Sequence, residues 1–370
     1  MVVSSFGYVR QLDGIRALAV LLVILSHWLP AFTLSKLGFG PIGVDIFFVL
    51  SGFLITRILI VERLKISAAP LSYSRLNSIK NFMIRRCLRI FPIYYLLLIL
   101  LVIFANQFPN PVLKDWEWFF FYLQNIHYFN NQTWPGGCLS HLWSLAVEEQ
   151  FYFFWPWLIL FVPQRCMLIL MVTLFFIGFA STKWWIPMFI GGSMTGILTP
   201  TCMHAFASGG ILAYFHVKTG NKFHQLKYYF LIPGLISFAY LLIGIYGFFP
   251  LLVDSRTLVS IFIVGLISAI LINSNSKLSK YLLGNSVLVF LGRISYGVYL
   301  YHNFIPKLLN SLLHLLNKKN IGIYLLSYNS NIYKQSILFY LISFIILLVL
   351  SSISFFMFET KFQKLKKYFI

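Results

Sequence analysis

Apolar runs recur along the chain at lengths suited to a bilayer. A helix needs about 20 apolar residues to cross roughly 30 Å of hydrocarbon. Runs of this kind lie at 11–30, 42–61, 90–106, 144–162, 166–181, 203–217, 228–248, 256–273, 286–306 and 335–358. The pattern predicts an all-α fold, a polytopic transmembrane helix bundle of about ten spans. A further segment, 116–129 (WEWFFFYLQNIHYF), is short and aromatic. Such a segment lies at the interface or re-enters more readily than it spans. The sequence has no internal repeat of the kind many transporters carry. The stretches 63–89, 107–143 and 307–334 read as the long loops, and none is large enough for a soluble catalytic domain. A single integral-membrane domain over 1–370 is expected, with its chemistry among the helices.

Composition narrows the class. Of 370 residues, 59% are hydrophobic and 10% charged, against about 25% charged in an average soluble domain. So few charges cannot coat a soluble sphere, which excludes a soluble enzyme, a disordered chain and a coiled coil. The net charge of +20, from 29 Lys and Arg against 9 Asp and Glu, reads as membrane topology and not as nucleic-acid binding, because basic residues collect in cytoplasmic loops. With a cytoplasmic start, Arg63, Arg75, Arg85, Lys218, Lys222 and the tail residues Lys361, Lys364, Lys366 and Lys367 all fall inside. Counting 116–129 as a span would put that tail outside. Both termini are therefore expected in the cytoplasm. Cys87, Cys138, Cys166 and Cys202 form no CxxC and stand at no metal-ligand spacing, so neither a disulfide framework nor a metal site is expected. No cleavable signal peptide is evident.

The candidate chemistry lies in the scarce charges. A charge at mid-bilayer costs at least about 2.5–3.5 kcal/mol, so Arg16, Asp45, Glu148, Glu149 and Arg293 within apolar runs point to a polar interior site. Arg16 and His27 are eleven positions apart, nearly on one helix face and about 16 Å apart along the axis. Asp45, near the outer end of the second span, is placed to orient His27; it also reads as an acidic residue favoured at a helix start. In HLWSLAVEEQFYFFWPW, Ser144, Glu148 and Tyr152 share a face at i, i+4 spacing, and at least one of Glu148 and Glu149 should face a cavity. Arg85, Arg86 and Arg89 crowd the cytoplasmic end of the third span; they set topology or bind phosphate through bidentate guanidinium contacts. In LGRISYGVYLYH, Arg293 is expected deep in the membrane and His302 level with His27.

Together these segments resemble the acyltransferase 3 family of bacterial inner-membrane O-acyltransferases. RQLDGIRALAVLLVILSHW carries the family's Arg-x10-His pair as Arg16 and His27, and GVDIFFVLSGFLI follows. FMIRRCLRIFPIYY carries its Arg-x-x-Arg as Arg86 and Arg89, and then come HLWSLAVEEQFYFFWP and LGRISYGVYLYH. Glu359 in FMFETKF matches the acidic residue after the last span. The matches run in order from residue 10 to about 362. Two departures stand out. The SGNH-type esterase domain fused to some members is not expected within these residues. In TPTCMHAFASGGILAYF, Cys202 and His204 stand where the family often has an arginine and an acidic residue, and no role is carried onto either.

The resemblance implies transfer of an acyl group, usually acetyl, from cytoplasmic acyl-CoA as co-substrate to a hydroxyl of an extracytoplasmic carbohydrate acceptor. O-antigen, exopolysaccharide, peptidoglycan and nodulation-type oligosaccharides are the acceptor classes. His27 is then the expected base, held by Asp45 or Glu148, with Arg16 polarising the thioester or meeting a phosphate. Arg85, Arg86, Arg89 and Arg293 are expected to bind acetyl-CoA. Ser144, Glu149, Tyr152 and His302 are expected on the substrate side. The expected location is the bacterial inner membrane, with the lipid bilayer as surroundings and a separate periplasmic acyl-accepting protein left open. A proton-coupled carrier or flippase is the competing reading; the lack of repeats and of broken-helix pairs argues against it.

Overall fold

A computed structural model of the chain describes residues 7–28, 38–70, 74–103, 114–135, 138–192, 194–245, 253–318 and 337–369. Helices account for all regular structure among them. They run α1 (Arg10–Trp28), α2 (Phe39–Ala68), α3 (Arg75–Ile103), α4 (Trp116–Phe120), α5 (Gln124–Asn131), α6 (Trp143–Phe161), α7 (Met167–Ala180) and α8 (Ile186–Phe189). Then follow α9 (Thr199–Thr219), α10 (Lys227–Ile245), α11 (Ser255–Ile272), α12 (Lys277–Leu282), α13 (Ser286–Arg293), α14 (Ser295–Tyr301), α15 (Phe304–Lys318), α16 (Ile337–Ser354) and α17 (Thr360–Lys364).

Among the described residues, seven helical runs are long and apolar enough to cross a membrane. One of them, Thr199–Gly244, bends near Gly220 into α9 and α10. α6 falls outside that group because Glu148, Glu149 and Gln150 interrupt its apolar run. The run 286–306, which reads as one span, is instead broken at Ile294 into α13 and α14, and again after Tyr301. The stretch from 307, which reads as loop, continues α15 to Lys318; its remainder to 334 lies outside the described residues. The aromatic segment 116–129 folds as α4 and α5, of 5 and 8 residues. At 1.5 Å per residue neither reaches across a bilayer.

The bundle shows apolar side chains to its surroundings. Phe153, Phe154, Phe176, Tyr229, Ile236, Ile345 and Val349 are all exposed, an arrangement suited to lipid and adverse in water. With lipid outside as apolar as the inside, helices associate through close packing and internal hydrogen bonds. α2 is the hub. At its crossing with α9, a Cβ on Gly52 would run into the carbonyl of Phe206, and one on Gly209 into the carbonyl of Val49. Phe151 stacks on Phe206 at 4.0 Å between ring centres and ties α6 to the same crossing. Trp155 donates to the Thr56 hydroxyl at 2.8 Å. Gln150 donates to Tyr122 O at 2.9 Å and to Asn125 Oδ1 at 3.0 Å, which docks the α4–α5 pair on α6. Polar caps place the later helices: the Asp254 carboxylate accepts from Thr257 N at 3.0 Å at the start of α11.

Replacing Gly52 by Leu should force α2 and α9 apart. The expected cost is about 1–3 kcal/mol or more, read as a lowered unfolding midpoint of the detergent-solubilised protein. Gly7→Ala, which meets nothing within 4 Å, should leave that midpoint in place.

Candidate active site

Two chambers share lining residues within the bundle, and they are labelled inner and outer after the expected topology. The inner one is walled by α1, α2, α3, α6 and α14, and leaves about 80 Å³ for water-sized molecules. Arg16, Arg86, Arg89 and Glu148 line it, with Ser51, Ser144, Tyr152 and Tyr299. Glu148 accepts from the hydroxyls of Ser51 and Tyr152, so its charge is held by two donors from α2 and from its own helix. The guanidinium of Arg86 lies 5.1 Å from the centre of the Tyr152 ring. Arg16 stands 4.0 Å from Asp13, one turn back on α1. Three guanidinium groups thus line this chamber with a single lining carboxylate.

The glutamate left undecided in the sequence is now assigned: Glu148 faces the chamber, and Glu149 is not part of its lining. Two expectations need correction. Arg85 does not line the chamber; it donates to the carbonyl of Phe369 in the C-terminal segment at 3.1 Å. Arg293 is not deep but exposed. It ends the short helix α13, and its guanidinium sits 5.8 Å from the Tyr8 ring centre. Its place at the end of α13 beside Tyr8, near the start of α1, keeps it at the surface.

The outer chamber is larger, about 530 Å³, and is lined by His27, His141, Gln132, Trp134, Trp143 and Arg256 among others. Its histidines form a cluster in which His302 lies between His27 and His141, with ring centres 4.9 and 4.6 Å away. Sequence reasoning noted the segment that holds His141 but assigned that histidine no role. Hydrogen bonds assign the ring protons. His302 Nδ1 lies 2.6 Å from the carbonyl of Tyr299, so it donates there and leaves Nε2 as an acceptor. His27 Nδ1 lies 2.9 Å from the Val23 carbonyl and 3.3 Å from His302 Nε2, so its hydrogen is shared between those two. That leaves the lone pair of His27 on Nε2, and no hydrogen bond within the described residues claims it. His302 is fully buried, and its own carbonyl accepts from Trp28 Nε1 at 3.0 Å.

Asp45 is not the partner of His27. Its carboxylate is paired with Arg256 at 2.9 Å, and Arg256 also donates to the carbonyl of Gly196 at 2.7 Å. Arg256, on the first turn of α11, reads in the sequence as a cation of an outer loop. The only pointer to it was that a carboxylate inside a span requires a counter-charge. Tyr299 and Ser51 were also missed; both sit in segments noted for other residues. Tyr299 OH donates to the carbonyl of His141 at 3.0 Å and meets the hydroxyl of Ser144. Among the described residues no group of three or more His, Cys, Asp or Glu could hold a metal ion.

Comparison with known proteins assigns the chain. The acyltransferase 3 family model, described as an acyltransferase domain, matches residues 9–357. The peptidoglycan O-acetyltransferase OatA of Listeria monocytogenes is 32% identical over 323 residues, covering 80% of this chain and 49% of that protein. The putative peptidoglycan O-acetyltransferase YrhL of Bacillus subtilis is 38% identical over 164 residues, covering 40% of this chain and 23% of its own length. A putative O-acetyltransferase of Staphylococcus aureus is 28% identical over 332 residues, covering 81% of this chain and 51% of its own. The chain spans about half the length of the first and third of these relatives. No solved structure matches. With nearly its whole length matched, and with the paired Arg16–His27 helix and the Arg86–Arg89 pair facing the two chambers, the chain belongs to the acyltransferase 3 family.

Proposed function

We propose that this chain is a multi-pass inner-membrane O-acetyltransferase. It takes an acetyl group from cytoplasmic acetyl-CoA and passes it to a hydroxyl of an extracytoplasmic glycan, with peptidoglycan the leading acceptor because two relatives carry that name. The observation that carries the reading is that an arginine-rich chamber shares lining residues with a histidine-bearing one. A cytoplasmic polyanion suits the first, and a neutral base beside a sugar hydroxyl suits the second.

The proposed topology keeps ten spans and cytoplasmic termini. Besides the long apolar runs, it needs α9 and α10 to cross separately, α6 to cross despite its polar stripe, and α13 with α14 to cross as a broken pair. The basic residues of the tail and of the α9–α10 turn then face the cytoplasm, as the positive-inside rule asks.

In the proposed reaction Arg86 and Arg89 hold the phosphates of CoA by bidentate contacts, and Arg16 meets the thioester carbonyl as negative charge develops on its oxygen. Glu148, held by Ser51 and Tyr152, fixes the arginines electrostatically. The acceptor hydroxyl lies in the outer chamber against His27 Nε2. Its oxygen attacks the carbonyl carbon, a C–O bond forms and the C–S bond breaks. The hydroxyl proton passes to His27 Nε2 and from there to the departing CoA thiolate, so His27 returns to its neutral form. Asp45 acts one step away: it holds Arg256 at the chamber wall. His302 orients His27 through the shared Nδ1 hydrogen. Ser144 and Glu149 stay on the donor side as neighbours of the transfer path.

Three outcomes test this. His27→Ala should lower acetyl transfer to a glycan oligomer by about 10²–10⁴-fold while free CoA still binds; full transfer by a folded variant removes His27 from the mechanism. Arg89→Lys keeps the charge but loses the planar fork, and should raise KM for acetyl-CoA by about tenfold with little change in kcat. Incubation with radiolabelled acetyl-CoA and no acceptor should leave the protein unlabelled, and a stable acyl-protein would replace direct transfer by a two-step route.

A further inference from the structure

The two chambers do not merge freely. Among the described lining residues two belong to both: Val44 from α2 and Tyr299 from α14. Each is nearly buried, with 6% of its surface exposed. Their freedom to move aside is limited. Val44 is β-branched within a helix, where such a side chain keeps essentially one rotamer. Tyr299 is tied at its hydroxyl to the carbonyl of His141 at 3.0 Å and to Ser144, and the ring of Phe47 packs edge-on against it at 6.1 Å. The boundary common to the two chambers thus carries one stiff aliphatic side chain and one hydrogen-bonded aromatic one.

This constriction stands between the donor's anchor and the base. A thioester whose phosphates rest on the arginine side meets the hydroxyl activated by His27 only if its acyl carbon is carried up to the level of Val44 and Tyr299. The part of the donor that must fit there is the carbonyl and the carbon next to it. An acetyl group has a bare methyl as that carbon, and an isobutyryl group has there a CH that carries two further methyls.

We propose that Val44 and Tyr299 form an acyl-selecting constriction, which admits acyl groups unbranched beside the carbonyl and excludes branched ones. The inference rests on the acyl-transfer reading above and adds to it the residues that choose the acyl group. The transfer step is unchanged: the C–S bond breaks, the C–O bond forms, and the hydroxyl proton leaves through His27 to the thiolate.

The test uses the full chain in proteoliposomes, acetyl-CoA or isobutyryl-CoA as donor, and a chitopentaose oligomer as the hydroxyl probe. Ester formation is read by mass spectrometry and free CoA by its thiol. The wild type should transfer acetyl and little isobutyryl. Val44→Ala should raise the isobutyryl-to-acetyl ratio of kcat/KM by about tenfold or more, the scale on which one methyl is discriminated in an apolar pocket. Tyr299→Phe, which cuts the latch and keeps the ring, should move the ratio the same way by less. Val44→Phe should block both donors while free CoA still binds. If that variant fails to fold, the Val44→Ala and Tyr299→Phe ratios decide alone. A wild-type ratio in both of these overturns the inference while acetyl transfer itself stands. A wild type that forms acetyl ester on no glycan probe overturns the acyl-transfer reading and this inference with it.

Discussion

Inside a membrane an ion survives only beside its counter-ion or its hydrogen-bond donors, and in this bundle that requirement fixes which helices meet. A lone charge at bilayer depth costs at least about 2.5–3.5 kcal/mol. Glu148 on α6 meets the cost with a hydroxyl from α2 and another from its own next turn. Asp45, also on α2, meets it with Arg256 of α11. The central helix is therefore joined to two neighbours by polar contacts six residues apart, less than two turns. Close glycine contacts with α9, at Gly52 and Val49, run along the same face as Asp45. The arginines of the inner chamber follow a different logic. Arg16, Arg86 and Arg89 line their chamber with one carboxylate, Glu148, while Asp13, Glu149 and Glu359 act on them from outside that lining.

Much of this was legible in the sequence where the signal is local. The length and apolarity of α1, α2, α3 and α16 fix their existence, and the one-face spacing of Ser144, Glu148 and Tyr152 placed a polar stripe that the fold turns into a chamber wall. What escaped depends on partners far away along the chain. Asp45 and Arg256 are 211 positions apart, and spacing carries no information across that distance. His27 was assigned the wrong orienting group for the same reason: its neighbour is an imidazole, His302, and not a carboxylate. The broken run 286–306 is a subtler miss. Its apolar content is that of a span, yet Gly292 crosses α1 so closely that a Cβ there would meet the carbonyl of Asp13. Periodicity does not register a break placed where two backbones touch.

Two chambers that meet at a narrow waist offer chemistry across a bilayer without moving either large substrate across it. A carrier must alternate which side its site opens to. Here the sites differ in kind: arginines line one and histidines the other, which the proposed reaction uses for an anion and for a hydroxyl. In the proposed reaction a small acyl group alone passes between them, and the CoA moiety and the glycan each stay on their own side. The rigid hydrogen bonds at Tyr299 fit that division of labour, because a waist that opened widely would let water reach the thioester and compete with the sugar hydroxyl.

The choice between direct transfer and an acyl-serine turns on which groups have a base beside them. Ser144 is the serine at the waist, and its hydroxyl is engaged with the carbonyl of His141 and the phenol of Tyr299. Neither partner takes a proton readily, and a serine becomes a nucleophile only with an adjacent base. His27 differs on each count. Its Nδ1 hydrogen is spent on Val23 and His302, which fixes the tautomer and leaves Nε2 with its lone pair on the chamber that suits the acceptor. An imidazole so held is poised to remove a proton from a hydroxyl arriving from outside. The same hydrogen bonds that orient it also steady the positive charge it bears while the thioester breaks. That favours one transfer step, with the base on the acceptor side of the waist and the anion-binding arginines on the donor side.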